Sequence, residues 1–390
     1  MATMMNTGTK NYSEAELARY KELNGLSFAL SASLDYFSFA GDALSSDQDK
    51  LIALIAEILC NPNFEGDYFN RIIQEYYQAL LQHYYYDFSL LDMFFTTTLY
   101  GDHPYGYSNN ISLIVEALPK MTPAVLADYY QQTINPQNVV MAVSGDFELD
   151  EMASLISMEF AAWENKGGRL KEVEVTADEA NYNRIILVNK EDATQAKMML
   201  GYNFYATGFA EEVPFLMGNL VFGSGDFSSR LMDNLRSKLG YVYGIYSGVT
   251  YNRQGGLYYI TTDVAPEKVY DTMEAIKKEI LAIKAGTAPI SEEELFMIVN
   301  LYNAFFPKAY TTQIKVLAKL IYDQEILGKG DDSINAVIRE YNSLTAARVQ
   351  EVFAKHTFPE RFLTVIVGRK DDILPAFAEQ GLAVEVVELF

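Results

Sequence analysis

The strongest constraint on the fold of this chain is an internal repeat. The stretch at 121–145, "MTPAVLADYYQQTINPQNVVMAVSG", recurs at 344–368 as "LTAARVQEVFAKHTFPERFLTVIVG". The two stretches align without a gap at an offset of 223 positions, and the alignment pairs a threonine, a proline and a glycine. One offset held over the whole stretch indicates that a single structural unit occurs twice.

Each copy predicts the same local structure. A threonine, Thr122 or Thr345, caps a helix, a proline turn follows, and the stretch ends in an apolar strand, "VVMAVSG" or "FLTVIVG". Upstream, "GTKNYSEAELARYKELNGLSFALSAS" parallels "SGDFSSRLMDNLRSKLGYVYGIYSG", and Gly25 and Gly240 are expected to end the two helices. Their offset is 215 positions, so about eight residues are inserted later in the second copy.

Strands and long amphipathic helices in mixed order predict an α+β fold with two tandem homologous domains. The predicted first domain covers 1–165, a polar linker 166–183, and the second domain 184–390. The second copy opens with two strand-like runs, "RIILVNK" and "AKMMLGYNF", and a helix, whose counterparts would fall before residue 1. The first domain is therefore expected to be N-terminally truncated, without its opening strands and first helix.

Composition excludes several classes of function. A formal charge of -22 argues against nucleic-acid binding, and no apolar run reaches the ~18 residues of a membrane span. Cys60 is the single cysteine, so the chain forms no internal disulfide.

No two of the three histidines, His83, His103 and His356, are spaced to share a helical face. His103 is expected to be a hydrogen-bonded loop residue, and His356 is expected on the surface.

Several blocks together resemble the insulinase, pitrilysin and mitochondrial processing peptidase family of zinc metallopeptidases. They are "MMNTGTKNYS", "YGDHPYG", "INPQNVVMAVSGDF", "TFPERFLTVIVG" and "FGSGDFSSRLMDNLRSKLGYVYGIYSG". Active halves of that family carry His-x-x-Glu-His on their first helix, where two histidines hold zinc and the glutamate acts as base. The start of the chain has no basic segment followed by a cleavage site, so no signal peptide is expected.

The resemblance implies that this chain holds no zinc. Matching by position puts Ala2 at the glutamate of the motif and Thr3 at its last histidine. The third zinc ligand matches Leu80, and the acid upstream of it matches Ile73. The nearest carboxylate, Glu75, lies five residues from Leu80, which is more than one helical turn. No catalytic residue, metal ligand or cofactor is therefore expected in this chain.

The glycine-rich block carries the candidate site. In the family, the half without zinc supplies an arginine and, seven residues later, a tyrosine, and these match Arg236 and Tyr243. The resemblance implies that both contact the substrate backbone near the scissile carbonyl, where they stabilise negative charge. The residues alone leave another interpretation open, in which Arg236 is a solvated helix charge and Tyr243 packs in a strand.

Gly223 and Gly225 are expected to form a tight helix entry. They do not indicate a phosphate-binding loop, because no Gly-Lys-Ser/Thr follows them.

The resemblance implies a zinc-less subunit, or the C-terminal half, of an insulinase-type metalloendopeptidase. A homologous partner bearing His-x-x-Glu-His would complete the enzyme, as in a heterodimer, and this chain alone would be inactive. The two would enclose a chamber for a peptide substrate. The alternative is a structural core subunit of a larger complex with no role in cleavage. Because bacterial relatives of this kind are often exported, the periplasm is preferred over the cytoplasm.

Overall fold

The computed structural model describes residues 1–65, 67–165, 172–225 and 228–389 and shows a mixed helix and sheet fold. The helices are α1 (Ala2–Thr7), α2 (Glu14–Leu23), α3 (Gln48–Cys60), α4 (Asp67–His83), α5 (Asp87–Tyr100), α6 (Pro104–Tyr107), α7 (Ile111–Ala117), α8 (Pro123–Thr133), α9 (Leu149–Glu159), α10 (Glu212–Asn219), α11 (Val269–Lys284), α12 (Glu292–Phe305), α13 (Gln313–Glu325), α14 (Ser333–Ser343), α15 (Ala346–His356) and α16 (Lys370–Glu379). The strands are β1 (Ser27–Ala32), β2 (Phe37–Asp42), β3 (Ile185–Asn189), β4 (Ala196–Phe204), β5 (Val242–Thr250), β6 (Gly256–Val264), β7 (Leu363–Gly368) and β8 (Glu385–Glu388). Two π-helical segments, Leu220–Ser224 and Met232–Lys238, flank the glycine-rich loop.

The repeat is confirmed in the helices. The bounds of α8 and α15 differ by the same 223 positions, and each helix begins with a threonine cap. The Thr122 hydroxyl accepts from the Val125 N–H, and the Thr345 hydroxyl from the Arg348 N–H, both at 3.3 Å. Because a cap is a contact over three residues, the sequence alone predicts it.

By packing, the chain forms two compact units. The first unit comprises 1–82 and 112–172. Its antiparallel β1–β2 hairpin contributes Phe28 and Leu30 to a core with α1 and α3. The second unit comprises 83–111 and 173–390. The two compact units do not coincide with the two copies of the repeat, because the segment that contains α5 and α6 belongs to the second unit. The domain boundaries 1–165 and 184–390 describe the duplication and remain a prediction.

The second unit contains a six-stranded sheet in the order β5-β6-β4-β7-β3-β8. The β3–β7 and β3–β8 pairs are parallel, and the other pairs are antiparallel. The apolar side chains of α10, α11 and α15 join the strand residues in one core, while α5 packs on β4 and β7. Asn203 of β4 donates to the Leu99 carbonyl of α5 at 3.1 Å. Because helices bury β3 and β7, the sequences of these two strands are continuous apolar runs.

The prediction of a strand at "VVMAVSG" in the first copy is wrong. Residues 139–144 adopt no strand pairing among the described residues, and they are half-buried or exposed. The matching strand β7 is fully buried between β3 and β4. The physical reason is that a strand requires a hydrogen-bonding neighbour, and residues 139–144 have none among the described residues.

Part of the predicted linker, 166–171, lies outside the described residues. The rest of the linker has no regular structure until a short turn at Glu179–Asn181. None of the helices that the structure describes is long and apolar enough to cross a membrane.

Candidate functional site

The structure brings Arg236 and Tyr243 together. Arg236 lies in the second π-helical segment, which ends before Gly240, and β5 begins two residues later at Val242. Gly240 has a φ of 66°, a left-handed conformation that reverses the chain and favours glycine. The guanidinium carbon of Arg236 lies 5.2 Å from the centroid of the Tyr243 ring. That separation is within the range of a cation–π interaction.

A widened helical turn positions Arg236. The Leu239 N–H donates to the Asn234 carbonyl five residues earlier at 3.0 Å, and the Tyr241 N–H donates to the Leu235 carbonyl at 2.9 Å. Leu235 is fully buried and anchors this turn in the core. π-Helical turns are uncommon and occur frequently at functional sites, where they change the direction of a side chain.

A β-bulge positions Tyr243 at the edge of the sheet. Val242 lies opposite Val264 and Gly244 opposite Asp263, so Tyr243 is the extra residue between the two pairs. A bulge re-aims the inserted side chain, and Tyr243 is 82% exposed. The structure therefore places Tyr243 on the surface of the second unit and not in its core.

Two hydrogen bonds fix this bulge. The Ile245 N–H donates to the Met232 sulfur at 3.3 Å, which ties the strand to the π-helical segment. The Thr262 hydroxyl of β6 donates to the Gly244 carbonyl at 2.8 Å. Both the arginine and the tyrosine are consequently held by backbone that the core of the second unit supports.

Arg230, in the same block, has a structural role that the sequence analysis missed. Its guanidinium donates to both carboxylate oxygens of Glu294, at 2.6 and 2.8 Å, and to the carbonyls of Ala288 and Pro289 at 2.7 Å. Burial acts to raise the pKa of Glu294, but the bonds from Arg230 and Ser291 outweigh it and lower this pKa to about 2. Arg230 therefore ties the glycine-rich block to the start of α12. The Ser291–Glu294 capping box is readable in the sequence, whereas its arginine partner is not.

Gly223, which was predicted to form a tight helix entry, also brings the backbone close to strand β5. A side-chain carbon at Gly223 would lie 2.5 Å from the Ser247 hydroxyl oxygen of β5, so only glycine fits there. The adjacent Asn219 accepts from the Ser247 hydroxyl at 2.7 Å. The first π-helical segment thus packs directly on the strand that carries Tyr243.

The positions that match the zinc ligands and the base carry neither a ligand nor a base. Ala2 and Thr3 lie in α1, and Leu80 is 6% exposed on α4. Glu75 is exposed and lies 3.8 Å from Arg71 as an ion pair on the helix surface. Within the described ranges, no group of three or more His, Cys, Asp or Glu side chains is arranged to hold a metal ion.

The prediction for His103 is confirmed, and the prediction for His356 is wrong. His103 accepts from the Tyr105 N–H at 3.1 Å and contacts the Val173 carbonyl at 2.6 Å, as expected of a hydrogen-bonded loop residue. His356 is only 4% exposed, although a surface position was predicted. Its ring lies 2.6 Å from the Glu211 carboxylate and 2.9 Å from the Tyr205 hydroxyl, because α15 packs against α10. Helix periodicity alone does not show which neighbour covers a helix end.

Two family models match this chain. The model of the insulinase peptidase family (M16) matches residues 1–108, and the model of the M16 inactive domain matches residues 120–302. The chain belongs to the insulinase family. The part matched by the inactive-domain model includes Arg236 and Tyr243.

Relatives of this insulinase-family chain have related descriptions. An uncharacterised zinc protease of Mycobacterium leprae is 27% identical over 206 residues, which cover 53% of this chain and 45% of the relative. A protein named as a probable inactive metalloprotease of Bacillus subtilis is 24% identical over 258 residues, covering 63% of this chain and 57% of that protein. The aligned part of this chain thus spans about half the length of these relatives.

A solved structure shares the fold of this insulinase-family chain. The peptidase M16 inactive domain of Pseudomonas fluorescens superimposes with a TM-score of 0.83 at 20% identity, covering 94% of this chain and 87% of that domain. At this level of identity the likeness establishes the fold alone.

Proposed function

We propose that this chain is a catalytically incomplete, zinc-less half of an insulinase-type metallopeptidase and contacts the peptide substrate through Arg236 and Tyr243. The observation that carries the proposal is the pairing of the two side chains at 5.2 Å beside a β-bulge on an edge strand. The match to the inactive-domain model supports an incomplete half. A homologous partner would supply the zinc and the base.

The chemistry suits a peptide carbonyl. Arginine presents several N–H donors in a planar fork, and a tyrosine hydroxyl adds one more donor. Donors placed where negative charge develops lower the barrier to attack on a carbonyl. The Tyr243 ring lies against the guanidinium and so restricts its orientation. Part of the binding free energy is then available for the transition state, because less is lost in ordering the arginine.

The test uses the complex with a homologous subunit that bears His-x-x-Glu-His. Arg236→Ala and Tyr243→Phe are each assayed with an internally quenched peptide, alongside Arg361→Ala as a matched control. Arg361 also lies over an aromatic ring, 4.2 Å from the centroid of Phe358, but outside the proposed site. We expect each site variant to lower kcat/KM by roughly 10²- to 10³-fold, and the control to leave it within about twofold.

The double variant distinguishes the two functions. If both residues contact one carbonyl, their effects on kcat/KM are less than additive. A structural subunit of a larger complex predicts instead that turnover per folded complex is unchanged in all variants, and that result would refute the proposed contact. The periplasm is the proposed compartment, and fractionation of the source cells tests it separately.

A further inference from the structure

Three helices of the first unit end around a cavity of about 440 Å³. On α3 and its C-cap residue Asn61, the lining residues follow a helical face from Ala53 at spacings of three and four. The ends of α8 and α9, with the residues that follow each helix, complete the wall. The volume lies within the usual range of small-molecule sites, roughly 300–1,000 Å³.

Two buried polar atoms in this wall have no hydrogen-bond partner among the described residues, namely Asn135 Nδ2 and Glu57 Oε1. Asn135 is 2% exposed, and its other side-chain atom, Oδ1, already accepts from the Gln137 N–H at 3.1 Å. The second oxygen of Glu57 already accepts from Asn11 and Asn61 at 3.0 and 2.9 Å. A buried polar atom without a partner is costly, so a ligand that supplies both partners gains affinity. Such a ligand needs a donor for Glu57 and an acceptor for Asn135.

The electrostatics of the wall favour a positive ligand. Helices α3, α8 and α9 direct their C-terminal ends, which carry partial negative charge, to this region. Glu57, Glu159 and Glu164 also line the cavity, against Lys10 as the one cation among the described lining residues. The part of the chain that the structure describes has no cluster of side chains suited to a metal ion. The positive group is therefore organic.

The remaining wall is aromatic, and its tyrosine and cysteine are unreactive at neutral pH. Trp163 and Tyr130 line the cavity, and the Tyr130 hydroxyl donates to the Leu59 carbonyl at 2.5 Å. Burial raises the pKa of Tyr130 to about 12. Burial and, next, the charge of Glu57 raise the pKa of the Cys60 thiol to about 11. Both groups stay protonated at neutral pH, so the wall offers aromatic faces for a cation or an apolar side chain and no thiolate nucleophile.

We propose that this cavity binds an organic ammonium group with a neighbouring carbonyl, the chemistry of a peptide amino terminus. The ammonium donates to Glu57 Oε1, and the carbonyl accepts from Asn135 Nδ2. The first side chains of the ligand lie against Trp163. The ligand is either a free small peptide or the terminus of a longer one. This site uses no residue of the Arg236–Tyr243 pair, so it does not rest on the proposed function.

Isothermal titration calorimetry of the full chain tests the site. The probes are Ala-Phe-amide, its N-acetyl derivative and a peptide of roughly eight residues with the same two first residues. Glu57→Gln replaces the free acceptor with an amide at constant shape, and Asn135→Asp removes the donor while keeping the bond from Gln137. Glu151→Gln, on the exposed first turn of α9, is the matched charge control.

We expect Ala-Phe-amide to bind and its acetylated form to bind at least about tenfold more weakly, since a hydrogen bond to a charged group is lost. Glu57→Gln and Asn135→Asp each weaken binding by about tenfold or more, whereas Glu151→Gln leaves it within about twofold. Binding of the long peptide as well identifies a chain terminus as the ligand, and binding of the short probe alone identifies a free small peptide. Equal binding of the acetylated probe, no binding by any probe at millimolar concentration, or unchanged affinity in both site variants would overturn the proposal.

Discussion

Replacement of Glu211 by glutamine should destabilise the second unit by about 2–3 kcal/mol at pH 7. The Glu211 carboxylate accepts from Lys355 at 2.7 Å, from His356 at 2.6 Å and from Arg348 at 2.5 Å. Bonds from Lys355, then His356, and from Arg348 lower the pKa of Glu211 from 4.5 to about 2. A shift of this size corresponds to about 3 kcal/mol at ~1.36 kcal/mol per unit, and partial exposure of Arg348 and Lys355 reduces it somewhat.

The sign of the pH dependence follows from the lowered pKa. Because the folded state holds Glu211 ionised more strongly than the unfolded state does, the stabilisation is fully present above about pH 4.5. It is lost as the pH falls from there through about 2. The difference in free energy of unfolding between the wild type and Glu211→Gln should therefore shrink over that interval. Glutamine carries no titrating charge, so the variant itself lacks this component.

The assay is urea unfolding followed by far-ultraviolet circular dichroism at several values between pH 7 and 3. Glu351→Gln is the matched control, because Glu351 accepts from the same Arg348 at 2.9 Å but is 65% exposed. We expect the control to cost less than about 0.5 kcal/mol. Fluorescence of Trp163, which lies in the first unit, should be unchanged in both variants. A loss below about 0.5 kcal/mol for Glu211→Gln, or a loss independent of pH, would refute the reasoning.

Three further predictions concern metal, capping and strand pairing. Elemental analysis of the purified chain should find no stoichiometric zinc, because Ala2, Thr3 and Leu80 provide no ligand; one zinc per chain with activity lost on chelation would contradict this. Thr345→Ala should lower the free energy of unfolding by about 1 kcal/mol through loss of the cap of α15, whereas Thr345→Ser should restore most of it. Backbone amides of 139–144 should exchange hydrogen much faster than those of β7, since only β7 is paired and buried; equal protection would show that the first copy forms this strand.

The sequence by itself determined the repeat, several helix ends and the loss of the zinc positions. Thr122 and Thr345 cap helices whose bounds keep the offset read from the sequence. A capping box of Ser13 with Glu16, a pattern readable in the sequence, begins α2. These features depend on contacts over three or four residues, or on a left-handed residue such as Gly240, and so are local.

Only the tertiary structure decided which segments pair, which are covered and where the candidate side chains point. The segment 139–144 and strand β7 have similar apolar sequences, yet only β7 is a strand, because only it has neighbours on both sides. Helix α5 belongs to the repeat of the first copy but packs on the sheet of the second unit. The bulge that exposes Tyr243 depends on the register of β5 against β6. Pairing register and burial are contacts between residues far apart in the chain, and no local pattern encodes them.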